Sequence, residues 1–138
     1  MTKKIRSTKV TNYVSTVSTN PSIREYCVEI QKKIAENTNI VVEGRDIGTK
    51  VFPDAEVKIF LTASVEERAK RRYKELNDNS IEFKDLVQDI KSRDKQDMTR
   101  ENSPLKKAKD AILVDTSGMN FEQQITEITK HIERKISI

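Results

Sequence analysis

The sequence predicts an α/β fold built on a parallel sheet, and three observations carry that reading. Short apolar runs of strand length recur at Ile40 to Val42, Val57 to Leu61 and Ala111 to Val114. Patterns of helical period lie around and between them. The resulting order of helix, strand, helix, strand calls for crossover connections, which are right-handed and bring the strand ends to one side. A chain of 138 residues has the size of one domain with a useful but not large core.

Residues 8 to 18 read as a first helix and 22 to 36 as a second, with Pro21 at its start. Ile23, Cys27 or Val28, Ile30 and Ile34 give the second helix an apolar stripe. The single Cys27 cannot form an internal disulfide and is expected to be a small buried thiol. Asn37-Thr38-Asn39 stops this helix, and Ile40 to Val42 then reads as the first strand. Lys58 interrupts the second apolar run. Ser64 with Glu67 has the spacing of a capping box for the next helix, and Glu66 adds favourable charge there. Asn77 to Ser80 is the most loop-like interior segment. The last helix follows Gly118 and Asn120, and its stripe of Phe121, Ile125, Ile128, Ile132 and Ile136 is expected to pack on the sheet.

Charge narrows the function. The 26 basic residues exceed the 22 acidic ones by a net +4, which suits a polyanionic small ligand such as a nucleotide and permits nucleic acid. Aromatic residues are only 5% of the chain and there is no Trp, so no stacking platform for nucleic acid is expected. No apolar run reaches membrane-spanning length, and Met1 to Arg6 lacks the apolar stretch of a secretory signal; a cytoplasmic protein is expected. His131 is the sole histidine, no second ligand stands at a suitable spacing, and no metal ligands are assigned.

Three constellations carry chemistry. Glu43-Gly44-Arg45-Asp46-Ile47-Gly48-Thr49 sets an arginine and a carboxylate at the end of the first apolar run, where ligands gather in open parallel sheets. The alternative is an ordinary turn with a surface ion pair. Arg93, Asp97 and Arg100 continue the helical stripe of Leu86 and Ile90 and would carry two guanidinium groups and a carboxylate into a cleft. Guanidinium suits phosphate because its planar fork donates two parallel bonds. Solvated intrahelical pairs are the competing reading, and Asp94 and Lys95 look like charges of that kind. Arg68, Lys70, Arg71, Arg72 and Lys74 spread around one helix; either they are a solvated face, or some close as a lid over a phosphoryl group.

Gly44 to Thr49, Phe52-Pro53-Asp54-Ala55, Ile59 to Ala63, Arg93-Asp94 with Asp97 and Arg100, Pro104-Leu105 and Asp110-Ala111 together resemble bacterial cytidylate kinase, in the family's order and over most of the chain. The resemblance implies the parallel sheet of a P-loop nucleoside monophosphate kinase flanked by helices. It also implies transfer of the γ-phosphoryl group of ATP, with Mg2+, to CMP or dCMP. Residues 1–36 would be the helical part of the monophosphate-binding region and 37–138 the rest of the kinase core, with a lid-like segment at about 68–82. Ser15, Arg24 and Asp46 match positions that read cytosine. Arg45 and Arg100 match phosphate ligands, while Arg93 and Asp97 match residues that hold the ribose and support the phosphate contacts. Arg71 and Arg72 fall in the lid-like region.

One family feature has no counterpart. The Gly-x-x-x-x-Gly-Lys-Ser/Thr loop that cradles ATP phosphates is not found, since the only glycines are Gly44, Gly48 and Gly118. The expectation is a C-terminal portion without the first strand and P-loop. Such a portion would carry the CMP site and need the N-terminal part for ATP and for activity. A catalytically silent CMP binder and a basic nucleic-acid-binding protein are the alternatives.

Overall fold

The computed structural model of the protein describes residues 8–76 and 82–136. Helices α1 (Thr8–Val17) and α2 (Pro21–Ala35) come first. Asn20 caps α2, its Oδ1 accepting the Ile23 amide at 3.2 Å, and Pro21 opens the helix where a missing N–H costs nothing. At the far end Asn37 takes a left-handed φ of 58°, which ends the helix at the expected Asn-Thr-Asn segment.

The glycine-bracketed loop folds into a π-helical turn, Ile47–Val51. The Asp46 carbonyl accepts the Lys50 amide at 2.8 Å, and Phe52 N–H closes on Ile47 O at 2.7 Å. A Cβ on Gly44 would stand 2.8 Å from Ile47 Cγ1, so any larger residue there would force the Ile47 side chain to shift. Strands β1 (Ile59–Thr62) and β2 (Ile112–Asp115) pair in parallel, with Ile59 opposite Ile112 and Thr62 opposite Asp115. The Lys58 side chain is only 7% exposed; its amine donates to Pro53 O and, at 2.6 Å, to Asp110 Oδ2. The lysine that interrupts the apolar run therefore ties the Pro53 turn to the segment entering β2.

Helix α3 (Val65–Leu76) packs on α4 (Phe83–Thr99). Ala69, fully buried, lets the two helices approach, and Tyr73 meets Phe83 edge to face at 6.0 Å. Arg68 grips Asp94 with two parallel bonds of 2.9 and 2.7 Å. Ser64 caps α3 by accepting the Glu67 amide at 3.1 Å, but the return arm of the expected box is replaced: Ser117 Oγ accepts the Ser64 amide at 2.9 Å. The full box forms instead at α5 (Phe121–Ile136), where Asn120 and Gln123 exchange bonds of 2.9 Å. Val51, Ala69, Leu86 and Val114 form the buried apolar core among the described residues.

The structure is α/β with a parallel sheet, and besides the capping box it departs from the expectations at four places. Ile40 to Val42 is not a strand: among the described residues no strand pairs with it, and Val41 is 100% exposed. Cys27 is exposed rather than buried, as are Ile23, Ile30 and Ile34, because α2 packs chiefly on the short π turn. Along α5, Ile128 and Ile132 are half-buried while Phe121, Ile125 and Ile136 are exposed. A sheet of two strands, roughly 5 Å apart, is too narrow to cover that helix. Finally, β1 starts at Ile59 rather than Val57, since Lys58 serves the preceding turn. The loop expected at 77 to 80 lies outside the described residues.

The hydrogen bond from Lys58 holds the Asp110 carboxyl below its ordinary value of 3.8. A carboxyl with a depressed folded pKa stabilises the fold above its unfolded value, and that contribution disappears as pH falls through the folded one. Asp110→Asn should therefore destabilise the chain at about pH 6 and have less effect near pH 3, read by urea denaturation. An equal difference at both values would show that the ion pair adds nothing.

Candidate functional site

Two ion-pair sets meet at the Arg45-Asp46 dipeptide. On one side Asp46, whose side chain is 7% exposed, pairs with the Arg24 guanidinium from α2. Arg24 NH1 also donates to Ser18 O at 3.4 Å, while its buried Nε has no partner among the described residues. On the other side Arg45 Nε donates to Asp97 Oδ2 at 2.8 Å, and Arg100 NH1 approaches Asp97 Oδ1 at 3.3 Å. Asp97 thus bridges an arginine of the loop and one at the end of α4.

Local structure explains the placement. Asp97 lies in the last turn of α4 and Arg100 is its C-terminal cap residue. Beyond it Ser103 takes a left-handed φ of 52°, turning its carbonyl to accept Arg100 Nε at 2.8 Å. Leu105 N–H then closes on Asp97 O at 2.7 Å. Arg100 is consequently fixed with a side chain only 9% exposed, and its buried NH2 has no partner among the described residues. It lines a cleft of about 240 Å³ together with Thr19, Glu101 and Asn102. Three guanidinium groups stand against the carboxylates of Asp46, Asp97 and Glu101, and two buried donors, Arg24 Nε and Arg100 NH2, lack a partner among the described residues, which suits a ligand rich in acceptors.

A sequence model of the cytidylate kinase family matches residues 1–134. The chain belongs to that family. It is 50% identical to a cytidylate kinase of Thermosipho melanesiensis over 98% of this chain and 63% of that protein. The corresponding protein of Carboxydothermus hydrogenoformans is 47% identical over 98% of this chain and 62% of its own length. That of Streptococcus pneumoniae is 46% identical over 99% and 62%. The chain therefore spans less than two thirds of the length of these relatives. The motifs of the sequence resemble this same family.

Of the residues expected in a cytidylate kinase site, Arg24 is paired with Asp46, and Arg45 and Arg100 are brought together on Asp97. Arg93 lies on α4 but is exposed and enters no ion pair among the described residues. Ser15 lies on α1, and its side chain is outside the described residues. The lid arginines are placed elsewhere. Arg71 donates to Thr116 O at 2.7 Å, to Thr116 Oγ1 at 3.2 Å and to Glu67 at 3.2 Å, so it ties its helix to the residue that follows β2. Arg72 makes an exposed 3.4 Å pair with Glu75. Part of the lid-like segment at about 68–82 is α3 itself, and residues 77–81 lie outside the described ones.

Asp94 looks like an idle charge in the sequence, yet it is the partner of Arg68. Its only signal is its position three residues before Asp97 on α4, and nothing in the sequence pairs it with Arg68. Among the described residues no group of three His, Cys, Asp or Glu side chains is placed to hold a metal ion.

Removing one partner of a buried pair strands the other charge. Arg24→Met should cost about 3 kcal/mol in urea denaturation, and adding Asp46→Asn should recover much of it. A cost below about 1 kcal/mol would mean the pair is effectively solvated.

Proposed function

We propose that this chain carries the acceptor site of a cytidylate kinase, binding CMP or dCMP for conversion to CDP or dCDP by the γ-phosphoryl group of ATP. The observation that carries it is the pairing of Arg24 with Asp46 and of Arg45 and Arg100 with Asp97, two ion-pair sets joined at the Arg45-Asp46 dipeptide, within a chain of this family. Arg45 and Arg100 take the acceptor phosphate, with Arg93 close enough in sequence and helix turn to join them when ligand is present. Asp97 accepts from the sugar hydroxyls. Ser15, Arg24 and Asp46 read the base, where uracil would leave buried polar groups unmatched.

An ionised phosphate needs no general base; positioning and charge neutralisation suffice to make it a nucleophile. The sequence has no Gly-x-x-x-x-Gly-Lys-Ser/Thr loop to cradle the phosphates of ATP with its Mg2+. In this reading ATP and Mg2+ are held by a part of the enzyme corresponding to the length of the relatives that this chain does not span, and Arg71 and Arg72 contribute only if they leave Thr116 and Glu75. A cytoplasmic setting follows from the substrate; no helix among the described residues is long and apolar enough to cross a membrane. Binding of CMP without turnover of ATP, even in a chain extended to the length of the relatives, would identify the silent binder instead.

Calorimetric titration of the chain with CMP, UMP and AMP tests the acceptor reading: CMP should bind selectively, and equal or absent binding of all three in folded protein would refute it. Arg100→Ala should weaken CMP at least tenfold while leaving cytidine nearly unchanged, because the lost partner is the phosphate. Equal losses for both ligands would remove that role. Asp46→Asn should reduce the preference for CMP over UMP, and an unaltered ratio would place base recognition elsewhere.

A further inference from the structure

We infer that Ser103 is a positioning residue for the acceptor phosphate: its left-handed turn holds the Arg100 guanidinium so that one nitrogen is kept unpaired for the anion. The inference deepens the acceptor-site reading and rests on it. The three nitrogens of Arg100 are unequally engaged. Nε donates to Ser103 O at 2.8 Å and NH1 to Asp97 Oδ1 at 3.3 Å, while the buried NH2 has no partner among the described residues. The side chain is 9% exposed and lines the cleft shared with Thr19, Glu101 and Asn102. Bonds on two nitrogens fix the plane of the group, and the third is left as a donor for an oxygen that enters from outside. An unmet buried donor costs free energy, which an arriving phosphate oxygen removes.

The backbone of Ser103 makes this hold. Its carbonyl is the acceptor, and its hydroxyl has no partner among the described residues. A φ of 52° is unfavourable for a residue with a Cβ, and a residue before proline, as Ser103 is before Pro104, ordinarily stays extended. Such a conformation persists only where its surroundings over-determine it. Here the turn is closed at both ends, by the Arg100 amide on Gln96 O at 3.1 Å and the Leu105 amide on Asp97 O at 2.7 Å. Glu101 shows what the hold prevents. It is exposed and lines the same cleft, yet the ion pair of Arg100 is with Asp97. A guanidinium released from Ser103 would have the Glu101 carboxylate as a rival partner, and NH2 would no longer be kept for phosphate. Holding it beforehand spares the ligand the entropy of ordering a long side chain.

The test begins with the ligand-free full chain, by NMR of the arginine Nε–H groups, with Arg100 assigned by its loss in Arg100→Lys. The Arg100 Nε–H should exchange with water at least about tenfold more slowly than that of the exposed Arg93. Ser103→Val, whose branched side chain disfavours the left-handed turn, should abolish that protection, and Ser103→Gly, which tolerates the turn, should keep it. In calorimetry Ser103→Val should weaken CMP about tenfold and cytidine hardly at all, with Ser103→Gly restoring CMP binding. Ser103→Ala, which removes only the hydroxyl, should stay within about twofold of the unmodified chain. On an Arg100→Ala background, Ser103→Val should weaken CMP no further, because its effect passes through that arginine. An Arg100 Nε–H that exchanges as fast as that of Arg93 overturns the inference, a result that needs no variant to fold. So does a Ser103→Val protein, folded by circular dichroism, that loses CMP and cytidine equally, or a Ser103→Ala protein that loses as much as the valine variant. A protected Arg100 in a chain that does not select CMP would sink the acceptor reading alone and leave the hold of Ser103 on Arg100 standing.

Discussion

Asp46 holds two kinds of structure at once, and the rest of the site depends on both. Its carbonyl receives the amides that close the π turn, while its nearly buried carboxylate takes the Arg24 guanidinium of α2. The first bond set fixes the direction of the loop, and the second fixes the distance of that loop from a helix more than twenty residues earlier. Arg45, the preceding residue, has its backbone position fixed by the same constraint and so can reach Asp97 on α4. A turn of this rare type extends the chain by one residue over an α turn, and such turns recur at functional sites.

A second constraint reaches the site from behind. Arg68 and Asp94 join α3 to α4 by a two-pronged bond, and Ser64, at the start of α3, is in turn tied to Ser117 after β2. The carboxyl ends of both strands, α3 and α4 therefore form one connected frame. Asp97 stands one turn beyond Asp94 on that frame. Arg71, crossing to Thr116, strengthens the frame rather than hanging free above it.

Local signals make much of this legible in the sequence. Helix starts at Asn20, Ser64 and Asn120, the stop at Asn37 and the apolar β1 and β2 runs are each encoded within a few residues, and each forms close to where the sequence puts it. Arg45, Asp97 and Arg100 are visible as types suited to phosphate, but the fixing of Arg100 depends on the left-handed turn at Ser103, which the sequence does not pair with it. Ile40 to Val42 shows the opposite failure. Strand character in a short apolar run is conferred by a neighbouring strand, and among the described residues none lies beside it. Asp94 and Arg68 are unreadable for a related reason, since a contact across 26 positions leaves no periodic trace.

The fully exposed Val41, together with Leu61 and Leu113, each more than half exposed, leaves a good deal of aliphatic surface in contact with water. Water ordered around such groups raises the heat capacity of the solution, in proportion to the area wetted. The free chain should thus carry a larger heat capacity than its small core suggests. Whatever covers those side chains should release that excess as a negative heat-capacity change, a thermal record of contact that stays separate from the polar contacts of the site.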